Sequence, residues 1–171
     1  HPYLTNKNAG AHGIRCYESN LIVPLRIGDV LHSLQSIQAN GSKRFFSGGR
    51  KKGCYHLIGD PSEVLCVAEG YATAASIHEA TGHAVAVAFD AGNLQPVGTE
   101  LTNRYPGTQL LFCADDDQAT EGNPGLTKAK KAAEATGGLV AVPSFPAGAS
   151  GTDFNDLHQS CGADAVRDAI D

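Results

Sequence analysis

The sequence predicts an α/β fold: a parallel sheet flanked by helices, preceded by a small strand-rich N-terminal subdomain. Two patterns along the 171 residues carry that prediction, and a third observation says where the fold does its chemistry. Beyond residue 61, short and nearly continuous apolar runs alternate with helix-forming stretches, as in a parallel sheet buried on both faces. Before it, the apolar runs are broken by Gly, Asn, Ser and Asp at the spacing of an antiparallel meander. The third observation is Leu110-Leu111-Phe112-Cys113-Ala114-Asp115-Asp116-Asp117, an apolar run that ends in three consecutive carboxylates.

The N-terminal elements follow from their punctuation. Strands are expected over residues 13–17, 20–27, 30–38, 43–46 and 55–58, and Ala39-Asn40-Gly41-Ser42 is a hairpin turn because Asn-Gly accepts positive φ. Gly59-Asp60-Pro61 marks the boundary between units 1–60 and 61–171. Past it, strands are expected over 63–68, 84–89, 109–113 and 139–142. Helices are expected over 71–80, 94–104 and 125–136, with two short ones starting at Phe154 and Ala163. There are no internal repeats and no low-complexity tract.

An ionised carboxylate buried without a partner costs several kcal/mol, so the three acids must lie at the carboxyl end of their strand. That edge is where open α/β sheets bind ligands. Side chains alternate along an extended segment, so Asp115 and Asp117 can point one way and Asp116 another. The first strand of the unit ends in Glu69-Gly70, where glycine permits a tight turn into the helix, and parallel strands deliver Glu69 to the same edge. A further group, Gly151-Thr152-Asp153-Phe154-Asn155-Asp156-Leu157, follows the fourth strand and reaches that edge too. Such oxygen-only ligands suit Mg²⁺, which keeps several waters and takes one or two carboxylates plus substrate phosphates. Mn²⁺ would use the same oxygens.

Each acid also has a plainer reading. Glu69 sits where the helix macrodipole favours a carboxylate, Asp153 is placed to N-cap the helix from Phe154, and Asp116 suits a hydrogen-bonded turn. An apolar strand ending in Asp-Asp imitates a Walker B strand, but no Gly-x-x-x-x-Gly-Lys-Ser/Thr loop accompanies it. A receiver domain would want its acid pair after the first strand and a Lys after the last, and the chain has neither.

Composition narrows the setting. The net charge of −5 argues against adhesion to nucleic acid through the whole surface and leaves room for a local basic track. Lys43-Arg44 beside Phe45-Phe46, then Arg50-Lys51-Lys52, and Lys128, Lys130 and Lys131 are the basic runs, the last suiting an exposed helix face. Five widely spaced cysteines lack zinc spacing and are expected as small buried residues in a reducing compartment, hence a cytoplasmic protein. No segment is long or apolar enough to cross a bilayer. A chain without Met that opens at His1-Pro2-Tyr3 is expected to be a piece of a longer polypeptide.

Glu69-Gly70 after the first strand, Asp115 and Asp117 after the third, and a helix opened by Asn123-Pro124-Gly125 together resemble the TOPRIM domain of primases, topoisomerases and related nucleases. The resemblance covers about residues 62–149. Tyr3-Leu4, Leu34-Gln35-Ser36-Ile37-Gln38, Gly41-Ser42-Lys43-Arg44-Phe45-Phe46 and Gly53-Cys54-Tyr55 resemble the strand-rich segment that precedes TOPRIM in primases of plasmids and phages.

The resemblance implies metal-dependent synthesis of RNA primers on single-stranded DNA from ribonucleoside triphosphates, in plasmid, phage or mobile-element replication. It implies Asp115 and Asp117 as metal ligands and Glu69 as ligand or general base, with Asp153 and Asp156 as further metal candidates. It also implies that Lys43, Arg44, Arg50 and Lys51 contact template or triphosphate, and that a replicative helicase is a partner. Two other outcomes stay open: a TOPRIM nuclease or topoisomerase fragment that cleaves a phosphodiester, and a noncatalytic nucleic-acid-binding replication module.

Overall fold

The computed structural model describes residues 1–171, arranged as two sheets linked by an antiparallel bridge between Arg26 and Tyr55. The chain opens with helix α1 (Pro2–Lys7), then a four-stranded antiparallel sheet of β1 (Arg15–Tyr17), β2 (Asn20–Ile27), β3 (Val30–Ile37) and β4 (Lys43–Phe45), in that spatial order. Along β2, Leu21, Val23 and Leu25 are buried while Ile22 and Pro24 face outward, the alternation a half-buried strand imposes. The β3–β4 turn has Gly41 at φ 86°, and the Ser42 N–H donates to Asn40 Oδ1 at 3.0 Å. The expected Asn-Gly hairpin is therefore present.

The larger sheet runs in the order β5 (His56–Ile58), β7 (Ala84–Val87), β6 (Val64–Ala68), β8 (Gln109–Cys113), β9 (Leu139–Ala141). Its last four strands are parallel, as the strand–helix alternation predicts. Side chains alternate strictly between its faces. Cys66, Ala68, Val85, Val87, Leu111 and Cys113 face one core, under α2 (Tyr71–Thr81), α5 (Phe154–Cys161) and α6 (Ala163–Ile170). Leu65, Val67, Ala84, Ala86, Leu110 and Phe112 face the other, under α3 (Leu94–Arg104) and α4 (Pro124–Thr136). Phe112 is fully buried, and its removal from water stabilises the second core by roughly 2–3 kcal/mol.

Two elements depart from the sequence expectation. Strand β5, expected as the last strand of the meander, pairs antiparallel with β7 in the larger sheet, Leu57 opposite Ala86. It covers an edge whose residues are fully buried, and a reciprocal pair of 2.9 Å hydrogen bonds between Arg26 and Tyr55 ties it back to β2. Helix α1 was not foreseen, because six residues with only Tyr3 and Leu4 buried are too few to display a 3.6-residue period. It is held from outside, Asn155 Nδ2 donating to the Lys7 carbonyl at 2.7 Å.

The topology creates one crevice. From β6 the chain passes to neighbour β7 on one side, then returns to neighbour β8 on the other, so the carboxyl ends of β6 and β8 form a switch point.

Candidate active site

Ala68 lies opposite Cys113 in the β6–β8 ladder, so Glu69 and Asp115 leave adjacent strands at nearly the same height. They line a cleft of about 240 Å³ together with Asp90, Asp153, Lys7 and Lys43. Glu69 Oε1 and Asp115 Oδ1 are buried there without a hydrogen-bond partner. The carboxyl of Asp115 is pushed up to about 8, by burial first and then by Glu69, Asp153 and Asp117, with Lys43 opposing. Glu69 is pushed up to about 7, by burial first and then by Asp117 and Asp90, with the Ala91 backbone opposing and Asp153 adding. Two half-buried carboxyls that repel each other and keep one oxygen each unpaired fit a cation. No three ligand-type side chains close around a single point, so an ion here would take one or two protein oxygens and leave the rest of its shell to water or phosphate.

Every acid in the sequence set has a distinct place. Asp116 is a fastener outside the cleft: its Oδ1 accepts from Asn123 Nδ2 and its Oδ2 from Gln118 Nε2, both at 2.6 Å, and its N–H donates to the Thr152 carbonyl. Asp117 does not line the cleft, although its charge acts on both Glu69 and Asp115. Asp153 does two things at once, its Oδ1 capping α5 through the Asp156 N–H at 2.8 Å and its Oδ2 accepting from Thr73 Oγ1 at 3.1 Å in the cleft wall. Asp156 is turned away, its Oδ2 taken by the Thr152 N–H at 3.0 Å.

Glycines shape the walls in two ways. Gly70 sits at φ −111°, which any residue adopts, so the expected conformational role is absent. What matters is its missing side chain, since a Cβ there would project between Thr73 and Lys43. At Gly125, in the first turn of α4, a Cβ would stand 2.5 Å from the Asp115 carbonyl oxygen, so only glycine lets α4 press against that strand end.

The basic residues divide by strand parity. Lys43 pairs with core-facing Ile37 and projects into the cleft, whereas Arg44 pairs with Ser36 and lies on the outer face of the sheet. Lys43 as a whole remains exposed, yet crowding by the cleft and by Lys7 lowers the ammonium pKa, against the opposing pull of Asp153 and Asp115. Lys51 is ion-paired with Asp90 at the mouth, with its ammonium 5.1 Å above the Phe45 ring. Arg50 folds onto its own loop, Nε donating to the Lys52 carbonyl at 3.0 Å. Of the cysteines, Cys54, Cys66 and Cys113 are buried as expected, whereas Cys16 is exposed.

Sequence reasoning missed Asp90, Asn93, Thr73 and Lys7. Asp90 had a signal, because it comes three residues after β7, a strand parallel to β6, and so at the sheet edge where Glu69 emerges. Buried Asn93 had none: its Oδ1 accepts from the Gly53 N–H at 2.8 Å, and its Nδ2 donates to the Ala88 and Cys54 carbonyls at 2.8 and 3.0 Å, pinning the basic loop to the sheet. Phe89, at φ 73° beside that loop, meets Phe45 edge to face with centroids 6.0 Å apart.

Comparison with known proteins adds the following. Residues 64–164 match the family described as Toprim domain. A protein of Escherichia coli named DNA primase TraC is 45% identical over 125 residues, which are 68% of this chain and 12% of that protein. The chain thus spans a small part of that curated relative. Among solved structures, the primase fragment of the bacteriophage T7 primase-helicase protein matches with a TM-score of 0.67 at 13% identity, over 99% of this chain and 69% of that one. The DnaG primase catalytic domain bound to ssDNA matches with a TM-score of 0.60 at 14% identity, over 98% and 56%. At these identities the structural likeness is one of fold.

Proposed function

From the premise that this chain belongs to the Toprim domain family, we propose that it is the catalytic core of a DNA primase, joining ribonucleotides into a primer on a single-stranded DNA template. The observation that carries this reading is the pair of unpartnered buried oxygens on Glu69 and Asp115, facing two lysines in one cleft. Nucleotide addition needs that combination of cation-binding oxygens and fixed positive charge.

Mg²⁺ is the cofactor of choice: Asp115 and Glu69 would hold it, and it would neutralise triphosphate charge and make the primer 3′-hydroxyl easier to ionise. The chain's own groups do the rest. Lys43 and Lys7 hold the triphosphate from the side facing the acids. Where Asp115 alone takes the ion, Glu69 is the neighbouring carboxylate in the cleft that can accept the hydroxyl proton. Asp153, fixed by Thr73 and by its capping bond, keeps its charge at a constant position in the wall. Lys51 can exchange Asp90 for a phosphate at the mouth, which gives the basic loop a part in substrate capture.

A replicative helicase is a partner consistent with this role, and action on DNA templates together with free cysteines suits the cytoplasm. No helix is long and apolar enough to cross a membrane. The test is synthesis of labelled RNA on single-stranded DNA by wild type, Glu69→Gln and Asp115→Asn. Product made by wild type and lost in both variants supports the reading. Cleavage of the template without synthesis replaces it with a nuclease, and DNA binding with neither activity replaces it with a binding module.

A further inference from the structure

A second cleft, of about 660 Å³, opens on the outer face of the N-terminal sheet and shares no lining residue with the acidic one. Its floor is apolar, from Ile22, Pro24, Leu34 and Leu57, and its walls carry Arg15, Arg26 and Arg104. None of these arginines forms a salt bridge. The one carboxylate residue in the lining, Asp29, offers Arg26 its backbone carbonyl at 2.9 Å. On the same outer face, the cross-strand row Arg15, Ile22, Ser36, Arg44 puts an arginine at each end.

An unpaired donor points to what belongs there. Tyr55 lines the cleft and is only 3% exposed, yet its hydroxyl has no hydrogen-bond partner. Its neighbours are the Tyr105 hydroxyl, the Arg104 guanidinium and the Gly28 backbone. The Arg104 guanidinium lies over the Tyr105 ring at 5.9 Å and so close to Gly28 that a Cβ there would collide with it. Burial, then Tyr105, pushes the Tyr55 hydroxyl up to about 12 against the opposing pull of the Gly28 backbone and Arg104, so it keeps its proton at any physiological pH. A buried hydroxyl without a partner destabilises the fold, and an anion accepting from it would relieve that cost.

We propose that this cleft is a second anion site that takes the phosphate of a nucleotide at Arg104 and the Tyr55 hydroxyl, with the sugar and base lying on the apolar floor. Three guanidiniums and two hydroxyls supply more donors, and more positive charge, than a single side-chain carboxylate can use. A phosphate has more acceptor oxygens, spread tetrahedrally, and up to two charges. The volume falls within the range of roughly 300–1,000 Å³ typical of small-molecule sites. The same chemistry is met by a free nucleotide and by one nucleotide of a single strand.

The test is binding of AMP and of a ten-residue oligothymidylate to the chain in chelator, where the acidic cleft repels phosphate. Wild type is compared with Arg104→Ala, Tyr55→Phe and Lys128→Ala. Arg104→Ala is expected to weaken binding about 10-fold or more and Tyr55→Phe about 3-fold or more, the usual effect of losing a charge-assisted hydrogen bond. Lys128→Ala, exposed on α4 and outside both clefts, leaves it unchanged. Tyr55→Phe keeps or raises the melting temperature, because the hydroxyl it deletes has no partner in the free protein, so weaker binding is not a folding defect. Saturable AMP binding with these sensitivities assigns a free nucleotide, and binding of the oligonucleotide alone assigns a strand. Absence of binding by either, affinity indifferent to Arg104 and Tyr55, or a glutamate- and leucine-rich peptide outcompeting both probes overturns the proposal.

Discussion

Replacing Asp115 by Asn should stabilise the metal-free chain while abolishing its response to Mg²⁺. The carboxyl moves from an ordinary 3.8 to about 8 in the fold, so between those values the folded state holds a proton that the unfolded chain has released. More protons bound in the folded state means that stability falls as pH rises across this window, and the penalty is complete above pH 8. At pH 7 the upper bound is about 4 kcal/mol, from roughly three units at 1.36 kcal/mol each. Asp115 is only half-buried and shares its repulsion with Glu69, so solvent screening brings this down to about 2 kcal/mol. Asn keeps the shape and cannot ionise. Urea unfolding in chelator from pH 4 to 9 should show wild type losing stability with rising pH and the variant about 2 kcal/mol more stable at pH 7, the difference shrinking to under about 1 kcal/mol at pH 5 and vanishing near pH 4. Millimolar Mg²⁺ should restore wild type above pH 7 and leave the variant unchanged. A wild type whose stability rises through pH 5–8 in chelator, or a variant no more stable than wild type at pH 8, would refute the electrostatic account of this cleft.

Three other substitutions probe the scaffold. Asn93→Ala deletes the buried amide that bonds Gly53, Cys54 and Ala88, and should cost about 2–4 kcal/mol in denaturant melts, with faster hydrogen exchange at the Gly53 amide. Gly125→Ala puts a methyl against the Asp115 carbonyl, so it should lower the melting temperature and weaken Mg²⁺ binding in calorimetry. Gly70→Val meets no backbone strain at φ −111°, so it should melt within a few degrees of wild type while losing primer synthesis, because its side chain fills the space between Thr73 and Lys43.

The layered part of the fold was legible because burial on both faces of a sheet leaves continuous apolar runs. The bounds of α3 and β8 came out as read, as did the starts of α5 and α6. What escaped was set by distant partners. Strand β5 lies next to the meander in sequence, but its hydrogen bonds go to β7, and neighbours in sequence are only usually neighbours in space. At the site, strand-end logic brought Glu69 and Asp115 together correctly and could have added Asp90. It could not tell that Asp156 closes a loop while Asp153 faces the cleft, since both lie within one short turn. Strand parity already separated Lys43 from Arg44. Reading them as a pair overlooked that adjacent residues on a strand serve opposite faces.

The clasp between α1 and α5 sets an order of assembly. Lys7 leaves the ribosome 148 residues ahead of Asn155, its partner, and at about 5–20 residues per second that is a wait of roughly 7–30 s. During that interval a nascent chain can pair β6, β7 and β8 but lacks Asp153 and the buttress that seats α1. The crowding of like charges is completed last, on a sheet whose packing already resists it. Reversing the order by circular permutation, so that α5 is made first, would keep every contact and yet ask the acids to gather before their scaffold exists.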